Sequence, residues 1–422
     1  MKIKDIKAYE VLDSRGNPTV AAKVILSDGS EGVALVPSGA STGKYEAIEK
    51  RDSDNARYLG KGVLNAVSNI HNEILPLLRG KDASDLFGND LLMLEADGSD
   101  SKVNFGANAV LAVSMACAKA ASISMKVNLH DYIVNKASEF YDRKVEQKLP
   151  IPMLNILNGG VHADNQIDFQ EFMIRPFKFD SFSDSLRCGV EIFHTLKNTL
   201  EHKNLNTSVG DEGGFAPNLE KPELALDLIM ESIEKAGYKP GEEVNLCLDV
   251  AATEFYSDSI YRVQGKSDLN SDEMIDYLKT LKNSYPIYSI EDGLDEDDWQ
   301  GWKMLTEELG SQTQIVGDDL FVTNTTRIKK GIEESSANAV LIKLNQIGSL
   351  SETFQAIKLS EEYNFKNVIS HRSGETEDTF IADLSVGTGV GQIKTGAPSR
   401  SDRVAKYNRL LMIEKNSDIC FG

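Results

Sequence analysis

Six ionisable residues recur through the second half of the chain, each closing a short apolar run. Residues 244–248 precede Asp249, 287–290 precede Glu291, and 314–317 precede Asp318. Residues 339–342 precede Lys343, 367–370 precede His371, and 391–393 precede Lys394. A single such residue is ordinarily a cap or a solvated rim, but six in succession point to one shared mouth. Three carboxylates brought together repel one another unless they share protons or a cation. An all-oxygen set suits Mg²⁺, which keeps positions for water and substrate; the bland reading is salt bridging to Arg or Lys. A lysine beside them neutralises acids, binds an anion, or acts as a base if burial and nearby cations lower its pKa from about 10.4 towards 7–8. On physical grounds alone either Lys343 or Lys394 fills that role.

His371 is followed by Arg372-Ser373-Gly374. A guanidinium, a hydroxyl and a small residue in sequence make a phosphate cradle or, equally, a loop that holds the mouth together. Upstream, Asn158-Gly159-Gly160 opens a loop carrying His162, Gln170-Glu171 begins a strand-like run, and Gly210-Asp211-Glu212-Gly213-Gly214 flanks an acidic pair with glycine. Glycines admit a ligand close to the backbone, but more often they simply make turns. Gly39-Ala40-Ser41-Thr42-Gly43-Lys44-Tyr45 has the look of a phosphate-binding P-loop. It has one residue too few between the glycines, and Tyr45 stands where a Ser or Thr would touch Mg²⁺. A mobile, hydroxyl-rich lid fits better.

The spacing of the six residues predicts the elements that position them. The intervals of 42, 27, 25, 28 and 23 residues lie near the ~30 that one strand–helix–strand unit occupies. Helical segments fall between: Ser271 as cap before Met274, Tyr277, Leu278 and Leu281, and Ser349 with Glu352 as a capping box. Continuous apolar strands alternating with amphipathic helices imply a parallel sheet, and an α/β barrel is its economical closure. Residues 1 to about 135 read instead as mixed α and β. Strand-like alternation covers 19–26, turns fall at 13–18 and at Asp28-Gly29, and a buried helix covers 107–121. The charged stretch 139–148, closed by Pro150 and Pro152, is the expected linker, dividing the chain into domains at 1–138 and 139–422.

Composition bounds the partners. A net charge of −20 over 422 residues argues against general nucleic-acid binding. It does not exclude an anionic substrate, since close charges at an effective dielectric near 20 interact by roughly 4 kcal/mol and outweigh distant screened ones. No apolar run approaches the ~18–20 residues of a membrane span, and the start lacks a signal-peptide pattern. Four scattered cysteines without paired spacing fit a reducing cytoplasm.

Several long stretches resemble the enolases, of bacterial type. They are Ser370-His371-Arg372-Ser373-Gly374-Glu375-Thr376-Glu377-Asp378 with Gly391-Gln392-Ile393-Lys394-Thr395-Gly396, Leu341-Ile342-Lys343-Leu344-Asn345-Gln346-Ile347-Gly348, Ser289-Ile290-Glu291-Asp292, residues 210–214 and residues 38–43. The similarity runs from the first strand to Ile413. It implies an N-terminal α+β domain followed by a modified TIM-type α/β barrel, ββαα(βα)6, and a hydro-lyase that dehydrates 2-phosphoglycerate to phosphoenolpyruvate in glycolysis and gluconeogenesis. Proton abstraction by a Lys or His base beside one or two Mg²⁺ ions is the known chemistry of this superfamily and comes with the resemblance. By the resemblance Lys343 takes the C2 proton, and Asp249, Glu291 and Asp318 hold one Mg²⁺ of two per active site. Lys394 stabilises the charge that appears only after proton loss. Glu212, supported by Glu171, protonates the departing hydroxyl; Arg372 and Ser373 hold the phosphate; Ser41 bridges the second Mg²⁺. His162 and His371 complete the pocket, with Gln170 a nearby polar contact. The resemblance further implies a homodimer or octamer in the cytoplasm, and leaves room for a cell-surface or secreted pool and for RNA-degradation or host-protein partners. Two other readings compete: a non-catalytic scaffold, which predicts lost ligands or base where every position checked is intact, and a superfamily lyase or racemase acting on a non-phosphorylated acid.

Overall fold

The computed structural model describes residues 1–39 and 43–422; Ala40, Ser41 and Thr42 lie outside the described residues, and with them the expected metal and substrate contact at Ser41. The chain opens with an antiparallel sheet of β1 (Ile3–Leu12), β2 (Pro18–Leu26) and β3 (Glu31–Leu35). Val20, Ala22, Val24 and Ala34 turn from this sheet into a core shared with the helix Ala107–Met125. That helix is apolar around most of its circumference because it is wrapped on most sides. It is long and apolar enough by composition to cross a bilayer, contrary to the sequence expectation, yet 78% of that stretch is buried in this core.

The helix Leu129–Tyr141 runs into the segment expected to be linker, so the irregular connection begins only at Asp142. Eight strands then close a barrel: β4 (Ile151–Asn158), β5 (Glu171–Pro176), β6 (Val244–Asp249), β9 (Ile287–Glu291), β10 (Gln314–Gly317), β11 (Ala339–Ile342), β12 (Lys366–Ser370) and β13 (Gln392–Lys394). A two-stranded hairpin, β7 (Tyr256–Ser257) with β8 (Ile260–Tyr261), projects from the connection after β6. The order round the barrel is β10-β11-β12-β13-β4-β5-β6-β9. β5 runs antiparallel to both β4 and β6, and all other pairings are parallel. Two long helices, Phe182–His202 and Pro222–Lys235, follow β5 before the regular strand–helix alternation begins. This is the modified barrel expected. The barrel interior is filled by Met153, Met173, Cys247, Val316, Ala339, Leu341 and Val368, all buried, so it is a packed core.

Helix starts are set by local chemistry. Asn270, rather than Ser271, caps the helix Ser271–Ser284: its side chain accepts from the Glu273 N–H while Glu273 returns a bond to the Asn270 backbone. Ser349 caps Leu350–Glu362 as expected, accepting from the Glu352 N–H, but the Glu352 carboxylate meets the Ser349 hydroxyl instead of its backbone.

Candidate active site

The strand ends converge as the spacing predicts. Asp249, Glu291 and Lys394 are the last residues of β6, β9 and β13, while Asp318, Lys343 and His371 directly follow β10, β11 and β12. Glu171 starts β5 but, because that strand is reversed, pairs with Asp249 at the same end of the barrel. A small cleft there is lined by Lys343, Lys394, Arg372, Ser373, Glu171 and Glu212, together with both histidines and Gln170.

Lys394 stands at the centre. Its buried ammonium lies 3.0 Å from Asp249 Oδ2, 2.8 Å from Glu291 Oε1 and 3.0 Å from Glu171 Oε1. β13 and β9 are four strands apart in a ring of eight, so this side chain reaches across the barrel. Burial opposes its charge, but Asp249, Glu171 and Glu291 outweigh burial and hold it well above the usual lysine value. Gln170 Nε2 donates to Asp249 Oδ2 at 3.1 Å and fixes that carboxylate.

Lys343 pairs with Asp318 Oδ2. Burial, Arg372 and Lys394 pull its pKa down, yet the Asp318 contact and Glu291 win and hold it above the ordinary value. A lysine acting as a base at this position needs the opposite shift. A neutral Lys343 therefore requires Asp318 to be engaged by some other cation. Gln346 Nε2 donates to Asp318 Oδ1 at 2.7 Å, and Gln346 Oε1 accepts from Thr323 Oγ1 at 2.8 Å. Asp292 supports the same residue from below: its two oxygens accept the Asp318 and Asp319 N–H groups, each at 2.9 Å. Asp292 and Thr323 hold φ of +43° and +54°, a left-handed backbone that costs of order 1–3 kcal/mol per non-glycine residue and recurs at functional sites.

The opposite wall gathers two carboxyls and two histidines. β5 lies four strands from β11, so Glu171 faces Lys343 across the mouth. Ligand atoms of His162, Glu171 and Glu212 lie within 4.8 Å of one another. Glu212 Oε1 is 3.5 Å from His162 Nδ1 and 3.4 Å from His371 Nε2, and Glu212 Oε2 accepts from Asn155 Nδ2 at 2.7 Å. Burial raises the Glu212 carboxyl, but His371, His162, Arg403 and Lys394 together draw it well below the usual range. Burial and the neighbouring Glu212 charge push Glu171 well above it. The two carboxyls are thus driven in opposite directions, Glu171 up and Glu212 down. Burial lowers both histidines, and the Glu212 carboxylate opposes that fall.

Arg372 and Ser373 lie on the next loop. Arg372 forks onto Glu46, and Arg403 donates to the carbonyls of Arg372, Ser373 and Asp211 and contacts His371 Nδ1. Gly374 lets this loop touch the stem of residues 38–39: a Cβ there would lie 2.5 Å from Ser38 Oγ and 2.6 Å from Arg15 Nη2. Sequence reasoning missed Asn155, Gln346, Arg403, Glu46 and Asp292. Gln346 and Asp292 stand inside the family-like motifs; the other three carry no signal before folding.

The donors fit a hard divalent cation. Asp249, Glu291 and Asp318 are buried and offer oxygen alone. Among the described residues Glu291 Oε2 is buried with no hydrogen-bond partner, and the charges balancing the three are the ammonium groups of Lys394 and Lys343. Asp318 also clusters with Asp292 and Asp319, but the Asp292 oxygens are already committed to backbone N–H groups, which makes Asp292 a support.

Fold and site together define an α/β-barrel enzyme with a cluster of buried ionisable groups at the C-terminal mouth. A family model described as enolase, C-terminal TIM barrel domain, matches residues 146–418, and one described as enolase, N-terminal domain, matches residues 3–133. The chain belongs to the enolase family, whose activity is of the lyase type.

Proposed function

We propose that the chain carries out the reversible, Mg²⁺-dependent dehydration of 2-phosphoglycerate to phosphoenolpyruvate. The observation that carries this is the pair of opposed walls: a lysine just past β11 facing the carboxyls of Glu171 and Glu212, with a phosphate-suited guanidinium lining the same mouth. Elimination of water needs a base at C2 and an acid at C3, held so that both act on one substrate.

Lys343 takes the C2 proton once Asp318 is engaged elsewhere. Mg²⁺ held by Asp249, Glu291 and Asp318 would supply the positive charge that stabilises the substrate carboxylate as it gains a second negative charge. Lys394, fixed among Glu171, Asp249 and Glu291, adds a preorganised cation at the same place. The Glu171–Glu212 pair delivers its shared proton to the departing hydroxide. Arg372 and Ser373 bind the phosphate, His162 and His371 close the pocket, and Gln170 keeps Asp249 in position. Ser41 is assigned to the second Mg²⁺ by resemblance alone. The same reading makes the protein a cytoplasmic, homo-oligomeric enzyme of glycolysis and gluconeogenesis. A scaffold role would not need the buried base, acid pair and ligand set that are all present.

The test follows the ultraviolet absorbance of the enol-phosphate double bond with 2-phosphoglycerate and Mg²⁺. The signal should rise, stop on adding EDTA, and fall at least ~10²–10⁴-fold in Lys343→Ala. A flat trace from folded wild-type protein would overturn the assignment.

A further inference from the structure

Arg372 already holds an anion. Its Nη1 lies 2.9 Å from Glu46 Oε2 and its Nη2 lies 3.1 Å from Glu46 Oε1. This is the two-pronged geometry by which a guanidinium grips a phosphate or carboxylate. Both side chains are buried, at 3% and 9% exposure. Glu46 comes from the far end of the chain, just beyond residues 40–42, and also accepts the Gly43 N–H at 3.0 Å.

The Arg372 backbone is held without Glu46, and the guanidinium has a second acceptor in Asn345. Asn345 Oδ1 accepts from Nη1 at 3.1 Å, Glu375 Oε1 accepts the Arg372 N–H at 3.3 Å, and Arg403 donates to the Arg372 carbonyl at 2.5 Å. The loop is thus fixed by three contacts that do not involve Glu46.

Resting on the reading of Arg372 as the phosphate ligand, we propose that Glu46 is an internal competitor for that guanidinium and sets the affinity threshold of the phosphate subsite. A tethered carboxylate acts at a high effective concentration, which an arriving anion must overcome. A phosphate monoester carries about −1.5 to −2 charges at pH 7 and three acceptor oxygens, so it displaces or outbids Glu46. A monoanionic carboxylate of equal charge to Glu46, arriving from dilute solution, does not. The subsite therefore stays closed to the many small carboxylic acids that a lysine–carboxylate mouth would otherwise accept.

Calorimetric titration of inorganic phosphate into the metal-free protein tests this, using wild type, Glu46→Gln, Glu46→Asp and Arg372→Met, each first checked for a cooperative melt. Glu46→Gln should bind phosphate about tenfold more tightly, the ratio expected when one charge-assisted competing contact is removed. Glu46→Asp, whose carboxylate is drawn back by one methylene, should shift in the same direction by less, and serves alone if the glutamine variant does not fold. In turnover the KM of Glu46→Gln should fall without a rise in kcat. Unchanged or weaker phosphate binding by both Glu46 variants, with binding still abolished in Arg372→Met, would overturn the competitor and leave Arg372 as the phosphate ligand. Binding that is the same in Arg372→Met as in wild type, or no binding by any variant, would overturn both.

Discussion

Replacing Lys394 by methionine isolates the electrostatics of the mouth. The ammonium lies within 3.0 Å of Asp249, Glu291 and Glu171, and all four groups are at most 3% exposed. Methionine fills a similar volume, so little is lost in packing. The loss is of charge balance: Asp249, Glu291 and Glu171 lose the ammonium they share, while that of Lys343 stays paired with Asp318. Removing one member of a buried ion pair typically costs about 3–5 kcal/mol. That figure should be seen in EDTA by urea unfolding monitored by circular dichroism. In saturating Mg²⁺ most of the loss should vanish, because the cation restores the balance and no longer competes with the ammonium for Asp249 and Glu291. The stabilisation gained by adding Mg²⁺ should therefore exceed the wild-type gain by about 2 kcal/mol or more, which corresponds to at least ~25-fold tighter metal binding. An equal loss with and without Mg²⁺ would refute the assignment of these carboxylates to a metal.

Gln346→Leu should leave the fold intact but weaken Mg²⁺ binding about 10–100-fold, since it removes the donor that orients Asp318; calorimetric Mg²⁺ titration reads this. Asp90, fully buried between the N-terminal helices and the barrel, accepts from the Ser351 N–H and hydroxyl, and burial pushes its carboxyl from 3.8 up to about 6. Its folded value is raised, so the folded protein binds this proton more tightly; the stabilisation is full below about 3.8 and is lost as pH rises through about 6. Asp90→Asn should flatten the pH dependence of unfolding free energy across that window by about 3 kcal/mol, and identical slopes in both proteins would contradict this. Gly374→Ala should raise KM and lower the melting temperature, because its Cβ would stand 2.5 Å from Ser38 Oγ; steady-state kinetics and a thermal melt check both.

The barrel and six of the ionisable residues at its mouth were legible for one physical reason. Parallel strands buried on both faces read as unbroken apolar runs, and a lone charged residue at the end of each marks the mouth. Glu171 broke that rule because β5 is reversed, which brings its first residue to the mouth. Asn155 lies inside the apolar β4, and its amide meets Glu212 only after the connection between the helices Phe182–His202 and Pro222–Lys235 folds back onto that strand. Arg403 and Glu46 come from a late helix and an early loop, more than 300 residues apart in sequence, so no local pattern links them. The charge states of Lys343 and of the Glu171–Glu212 pair were not readable, because each depends on which carboxylate touches which cation.

The division of labour between the walls is tested most directly by proton exchange at C2 of 2-phosphoglycerate in D₂O, followed by NMR with Mg²⁺ present. Lys343→Ala should lose both exchange and product formation by at least ~10²-fold. Glu212→Gln should lose product formation by a comparable factor while C2 exchange continues, because the base is untouched. Exchange that survives in Lys343→Ala but disappears in Glu212→Gln would place the base on the other wall and contradict the account.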